Sequence, residues 1–339
     1  MSEERRPVPV VAEEGPDAGV PWHYGDPVRE QRALERGVGR VDLSHRGVLR
    51  VSGPDRLTWL HSLTTQHLLG LRPGEGTTTL VLSPQGHLEH VLHGVDDGTT
   101  FWAHTEPGAA TAAAAWLDSM RFMMRVEVAE VTDDVAVVWS ADPTATEPYA
   151  VAVRRAADSL GGAELLVPRE RLEETLGEQR AGTWAYEARR VAAGVVRPGL
   201  DTDHRTIPNE AGLLGVAVHL DKGCYRGQET VARVHTLGRP PRRLVLLLLD
   251  GSAERLPESG SALTLGGRAV GFVGGAARHH ELGPVALAMV KRNVPVDATL
   301  LADGVSAAQE VVVDPEVGLH VRPRLVGAEA SGARDRSGA

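Results

Sequence analysis

The segment Asp221-Lys222-Gly223-Cys224-Tyr225-Arg226-Gly227-Gln228-Glu229 carries the only cysteine in a chain of 339 residues. Without a second cysteine, an intramolecular disulfide and the Cys-x-x-Cys zinc and redox motifs are excluded. Lys222 and Arg226 flank the thiol, each two residues away. Gly227 can end a turn, and the Gln228-Glu229 pair can start a helix. A thiol close to cations and a helix N-terminus ionises readily, so the pattern predicts a nucleophilic cysteine; the alternative is a small, inert core residue.

The sequence that follows this segment predicts a small all-β unit. Short β runs, separated by glycine and proline, lie at 244–249, 263–265, 269–273, 285–289 and 309–313. This spacing is typical of an antiparallel barrel or sandwich. We therefore expect a C-terminal β-barrel over residues 241–326 and a flexible tail over residues 327–339.

The sequence before the segment alternates strand and helix patterns. An alanine-rich helix is predicted at 107–124 and a second helix at 169–176, with strand-like runs before and between them. This order favours an α+β fold with a ferredoxin-like unit within about 99–180. Nearer the N-terminus, Ser83-Pro84-Gln85-Gly86 is typical of a hairpin turn between two strands.

The composition is that of an acidic globular protein. Hydrophobic residues make up 42% of the chain and the formal net charge is −9, so the whole chain lacks a basic nucleic-acid footprint. Residues 1–20 have no periodicity and are expected to form a disordered arm. The N-terminus has no apolar signal region, and no apolar run approaches the ~20 residues of a membrane-spanning helix. With one thiol, we expect a soluble, cytoplasmic protein.

The cysteine segment resembles the Lys-Gly-Cys-(Phe/Tyr)-x-Gly-Gln-Glu signature of the YgfZ family, folate-binding relatives of the glycine-cleavage T-protein. Other family-like pieces follow in consistent order from about Trp22 to Pro323: Val51-Ser52-Gly53-Pro54-Asp55, Ser83-Pro84-Gln85-Gly86, Arg190-Val191-Ala192-Ala193-Gly194 and Ile207-Pro208-Asn209-Glu210. The resemblance implies a T-protein-like arrangement, with a folate-binding, aminomethyltransferase-like region over 21–240. It also implies tetrahydrofolate in a central cavity close to Cys224.

Two departures from the T-protein pattern favour the YgfZ branch. T-proteins carry a catalytic aspartate in the hairpin strand, where this chain has Glu89 or no carboxylate, and they commonly carry aspartate in place of Cys224. The resemblance thus implies a tetrahydrofolate-binding accessory factor for iron–sulfur cluster assembly or repair, which can affect tRNA modification indirectly. Its partners would be folate and iron–sulfur enzymes or assembly proteins.

Two other functions stay open, and with them the question of whether the chain is an enzyme. One is a folate-dependent aminomethyltransferase, whose transferase activity would depend on Glu89. The other is a non-catalytic module that docks a partner enzyme or tRNA, with Arg242 and Arg243 as the basic contacts. The acidic net charge disfavours direct tRNA binding.

The resemblance implies that the protein works through the thiol of Cys224. The residues that would support the thiol or hold its loop are Lys222, Gly223, Tyr225, Gly227, Gln228 and Glu229. Glu210 is assigned to the pterin, because a carboxylate can accept two N–H donors from the 2-amino-pyrimidinone edge. Arg243, or Arg242, can pair with the folate carboxylates or else form a basic strand edge.

Two aromatic residues and the histidines complete the candidate set. Trp184 and Tyr186 can stack on the pterin, or they can be core residues of a helix. We expect no metal site, because the fourteen histidines form no recognised ligand pattern.

Overall fold

The computed structural model describes residues 8–319. The helices, in chain order, are α1 Pro27–Glu35, α2 Arg56–Leu63, α3 Ala110–Ser119, α4 Leu172–Leu176, α5 Thr183–Ala192 and α6 Gln228–Leu237. The strands are β1 Val10–Val11, β2 Pro21–His23, β3 Arg40–Asp42, β4 Gly47–Ser52, β5 Gly76–Leu82, β6 Leu88–Asp96, β7 Thr100–Thr105, β8 Glu127–Glu130, β9 Val135–Ser140, β10 Ala152–Arg154, β11 Ala163–Pro168, β12 Arg180–Ala181, β13 Arg242–Leu249, β14 Ala262–Leu265, β15 Arg268–His279, β16 Gly283–Lys291, β17 Leu300–Ala302 and β18 Val305–Val311.

The C-terminal strands close into a barrel in the order β13-β16-β15-β14-β17-β18, which confirms the predicted barrel. Its longest apolar run lies in β13, where alternate side chains point to opposite faces. Val245, Leu247 and Leu249 fill the barrel interior. Leu244 and Leu246 point outward and pack against α5. The run is continuous because both faces of the strand are buried.

A ferredoxin-like sheet lies earlier in the chain than expected. Its order is β5-β6-β7-β4-β8, with neighbouring strands antiparallel. Helices α2 and α3 follow β4 and β7 and share one core on the same face of the sheet. The unit therefore runs from about 47 to 130 with β5 as an extra edge strand, and the predicted range of 99–180 is wrong. Periodicity identified the strands, but it does not specify which strands pair.

The second sheet has the order β10-β11-β9-β3-β12 and combines strands that are distant in sequence. Its core includes Trp139 from β9, Leu34 from α1 and Tyr186 from α5, and it meets the ferredoxin-like sheet through Val48 and Val95. Trp139 lies edge-on to Tyr186, with ring centroids 5.7 Å apart. The helices and sheets together confirm the predicted α+β class.

The segment expected as a disordered arm is ordered from residue 8 to residue 20. Strand β1 pairs with β2. Asp17 accepts hydrogen bonds from Nη1 of the buried Arg197 at 2.8 Å and from Nε2 of His45 at 2.9 Å. This ion pairing holds the segment, and composition gave no sign of it because the partners are far away in sequence. Residues 1–7 and the predicted tail at 327–339 lie outside the described residues.

Candidate functional site

The cysteine segment packs directly against the β5–β6 hairpin turn. Gly227 has φ 82° and immediately precedes α6. A Cβ atom on Gly227 would lie 2.5 Å from the carbonyl oxygen of Ser83, and one on Gly86 would lie 2.9 Å from Cβ of Thr230. Both turns need a left-handed residue without a side chain. The two family-like motifs are therefore a single structural unit.

Lys222 holds the start of the cysteine loop to the end of α2. Its Nζ donates hydrogen bonds to the carbonyl oxygens of His61, Thr64 and Gln66, the last at 3.2 Å. Carbonyls at a helix C-terminus lack intrahelical partners, and a cation there is favourable. Burial lowers the pKa of Lys222 to about 8. The residue is a structural clamp, and its charge is directed at the helix end.

Arg226 forms a second clamp, on the other side of the thiol. Its Nη1 donates to Oε2 of Glu89 at 2.8 Å, and its guanidinium lies 5.8 Å from the ring centroid of Trp116. Both cations that flank Cys224 in sequence are thus engaged with other groups. Cys224 itself is exposed, so the alternative of a buried core cysteine is wrong.

The rest of the cysteine segment starts α6 and packs on the core. Gln228 is the first residue of α6, and the carboxylate of Glu229 pairs with Arg233 at 2.6 Å on the helix surface. Tyr225 packs in a cluster with Ala211 and Leu213. The loop that presents the thiol therefore rests on a buried apolar wall.

Ala211 and Leu213 of this cluster also line a cavity of about 140 Å³. The cavity lies where β5 and β6 meet the loop before β11 and the irregular segment 194–216. Its apolar lining includes Val91, Val195, Val196, Ala211 and Leu213. Its polar side chains are Thr78, His93 and Asp158. A mostly apolar cavity with a few convergent polar groups is typical of a small-molecule site.

A buried charge cluster supports the polar end of the cavity. The fully buried guanidinium of Arg154 donates to Glu164 at 3.0 Å, to Thr78 Oγ1 at 2.6 Å and to Asp158. Ser159 Oγ donates to Glu164 at 2.6 Å. Sequence reasoning missed this cluster. The available signal was Glu164 inside the otherwise apolar strand β11, since a buried carboxylate needs a partner.

Asp158 links this cluster to His93. Its Oδ2 accepts from Thr78 Oγ1 at 2.7 Å and faces Nδ1 of His93 at 3.1 Å. Burial raises the pKa of Asp158, but the hydrogen bond with His93 and the charge of Arg154 outweigh burial and hold that pKa well below its usual range. The cavity therefore contains a fixed carboxylate. His104 stacks under His93, with ring centroids 4.9 Å apart.

Glu35, His279 and His280 form a separate group with metal-like spacing. Nδ1 of His279 accepts from the backbone N–H groups of Glu281 and Leu282, both at 3.2 Å. The proton of the neutral ring is then on Nε2, the nitrogen that faces Glu35. A metal ion would need that nitrogen unprotonated, so the group is better described as a polar cluster.

The comparisons with known proteins agree with this fold. Residues 17–157 match the family model described as the GCVT N-terminal domain. The aminomethyltransferase T of the glycine cleavage system from Bartonella henselae has a similar structure, with a TM-score of 0.73 and 18% identity over 90% of this chain and 93% of that chain. The predicted T-protein-like fold is therefore confirmed.

Two similar proteins align with most of this chain, each at less than 30% sequence identity. A chloroplastic protein of Arabidopsis thaliana that bears the name of a transferase is 28% identical over 74% of this chain, and the match spans 66% of that protein, just under two thirds of its length. An aminomethyltransferase of a Nostoc strain is 27% identical over 80% of this chain and 81% of that protein. Among residues 8–319, no helix has both the length and the apolarity needed to cross a bilayer.

The structure does not bring all the predicted folate contacts together. Glu210 is buried beside the cavity wall, where its carboxylate accepts from Arg242 at 2.8 Å and from the backbone N–H of Ile207 at 3.1 Å. Arg242 also pairs with Asp203 at 2.7 Å. Any pterin contact by Glu210 would share the carboxylate with these donors.

Arg243 and Trp184 lie away from the cavity lining. Arg243 is fully buried, where its Nη2 donates to the carbonyl oxygen of Val294 and to Gln309. Trp184 stacks on Trp22, with centroids 4.7 Å apart. The roles of both residues toward folate stay predictions, and their present contacts are structural.

Proposed function

We propose that this chain is a tetrahydrofolate-binding accessory factor of the YgfZ type, which supports iron–sulfur cluster assembly or repair through Cys224. The observation that carries the proposal is the position of the cysteine loop. Its thiol is exposed, and its Tyr225 packs on the wall that lines the cavity through Ala211 and Leu213. A reactive group on this loop can respond to a ligand in the cavity through the residues that the cluster and the cavity lining share.

The cavity suits a reduced folate. An apolar lining fits the flat pterin ring, and Asp158 and His93 supply polar groups for a ring edge that is rich in N–H donors. The similar proteins that carry the name aminomethyltransferase give independent support to a folate-type ligand.

The contacts of Glu89 favour the accessory role over aminomethyl transfer. This residue is the hairpin carboxylate that a transferase mechanism would use, and it pairs with Arg226 instead of lining the cavity. From the same strand, Val91 and His93 reach the cavity. The names of the relatives keep the transferase as the second candidate. If purified protein forms methylene-tetrahydrofolate from an aminomethylated donor and Glu89→Gln abolishes this turnover, the second candidate is correct.

A tRNA-docking role has less support. Arg242 is engaged with Asp203 and Glu210, and Arg243 lies inside the barrel, so neither presents a free guanidinium to a phosphate backbone. The single thiol suits a reducing compartment, and we place the protein in the cytoplasm with iron–sulfur enzymes or assembly proteins as partners.

Two measurements test the proposal. Titration of the purified protein with tetrahydrofolate should give saturable binding, which Glu210→Gln weakens and the surface control Glu170→Gln leaves unchanged. Cys224→Ala should keep the fold and the tetrahydrofolate affinity but fail to restore iron–sulfur enzyme activity in a deletion strain. Absence of binding by the unmodified protein refutes the folate claim, and full restoration by Cys224→Ala refutes the cysteine claim.

A further inference from the structure

The Asp158–His93 pair fixes the position of a proton at the cavity. Asp158 is ionised, so both of its oxygens can only accept hydrogen bonds. Because Nδ1 of His93 lies 3.1 Å from Oδ2 of Asp158, Nδ1 must carry the hydrogen in that contact. In the neutral ring, Nε2 then has a free lone pair.

This second nitrogen of His93 is available to a ligand. Within residues 8–319 it has no hydrogen-bond partner, and His93 is part of the cavity lining. The stacked ring of His104 supports the plane of His93 from behind. Burial lowers the pKa of His104 well below its usual range, so that ring is neutral and does not compete for the negative charge of Asp158.

We propose that Nε2 of His93 accepts a hydrogen bond from a ring N–H or amino group of the bound reduced pterin, and that Asp158 is the positioning residue that keeps Nε2 an acceptor. The inference rests on the proposed folate-binding function and deepens it, because it names the group that selects the donor edge of the ligand. Arg154 completes the arrangement by holding Asp158 from the far side.

The Asp158→Asn variant gives the sharpest test. An asparagine amide can donate to Nδ1 of His93, which would transfer the ring proton to Nε2 and present a donor where the ligand needs an acceptor. Arg154 keeps its contact with Glu164, so the buried guanidinium stays paired in this variant. Nitrogen-15 NMR of the histidine rings in slightly alkaline buffer should show the Nδ1–H tautomer of His93 in the unmodified protein and the Nε2–H tautomer in Asp158→Asn.

Tetrahydrofolate titration completes the test. His93→Phe removes the acceptor and keeps a flat ring, and we expect about tenfold weaker binding or more, because a pterin donor is left unpaired in an apolar cavity. Asp158→Asn should show a similar loss. His90→Phe is the matched control, since His90 lies on the same strand but on the opposite face, near Trp116.

The outcomes separate this inference from the proposed function. If the unmodified protein binds tetrahydrofolate and His93→Phe binds equally well, the His93 contact is refuted and the folate function stands. An Nε2–H tautomer in the unmodified protein refutes the acceptor role even if His93→Phe does not fold. If the unmodified protein does not bind tetrahydrofolate, both proposals fail.

Discussion

Replacing Gly227 with alanine perturbs the contact between the cysteine loop and the β5–β6 hairpin at a single atom. The new Cβ would lie 2.5 Å from the carbonyl oxygen of Ser83 and 3.0 Å from Cα of Gly86. Both neighbours are backbone atoms, so neither can rotate away. The residue also has to keep a φ of 82°, which only glycine adopts without strain.

The cost of Gly227→Ala can be estimated from these two effects. The left-handed conformation costs an L-residue about 1–2 kcal/mol. The forced shift of a packed backbone adds about 1–3 kcal/mol, while the reduced freedom of the unfolded chain returns about 0.4–1 kcal/mol. We expect a net loss of about 3 kcal/mol in the free energy of unfolding, a large fraction of the ~5–15 kcal/mol typical of a folded protein.

Urea denaturation, followed by tryptophan fluorescence, measures this loss as a lower transition midpoint. Gly223→Ala is the matched control, because it lies in the same loop, its φ is outside the left-handed region and its added Cβ would meet no atom within 4 Å. We expect that control to stay within about 0.5 kcal/mol of the unmodified protein. Equal stability of the two variants would refute the claim that the hairpin and the cysteine loop form one packed unit.

Three other measurements address the surroundings of the site. Burial lowers the pKa of Lys222 from 10.5 to about 8, so the unfolded state binds more protons than the folded state between these pH values. The free energy of unfolding, measured relative to a Lys222→Met variant, should therefore rise with pH across that window. A constant difference between the two proteins would contradict this prediction. Arg154→Met should cost about 3–5 kcal/mol, measured by urea denaturation, because it removes the buried cation that Asp158 and Glu164 share; a loss below about 1 kcal/mol would contradict the buried cluster. Iodoacetamide should label the folded protein at Cys224 as fast as it labels the unfolded chain, measured by mass spectrometry, and strong protection on folding would contradict the exposed thiol.

The sequence was informative where local pattern decides structure. The β runs after residue 241 predicted the barrel, and the Ser83–Gly86 turn predicted the hairpin. Pattern did not reveal contacts between distant residues. Strand β3 pairs with β9 and β12, so the strands of this mixed sheet resemble a continuous ferredoxin-like unit in sequence although they pair elsewhere.

The candidate site shows the same limit. The motif residues Gly227 and Cys224 could be found from their neighbours in sequence. The partners of Lys222 and Arg226 could not, because the acceptors are backbone carbonyls of α2 and a carboxylate of β6. His93 and Asp158 belong to no motif, and only the packing of the two sheets brings them to one cavity.

The clamp formed by Lys222 also has a consequence for biosynthesis. Its acceptors lie 156 to 161 residues earlier in the chain. A ribosome releases the N-terminal part first, so that part can fold before the cysteine loop is translated. The loop then docks onto a finished surface, and a nascent protein acquires its ordered thiol only at this late step.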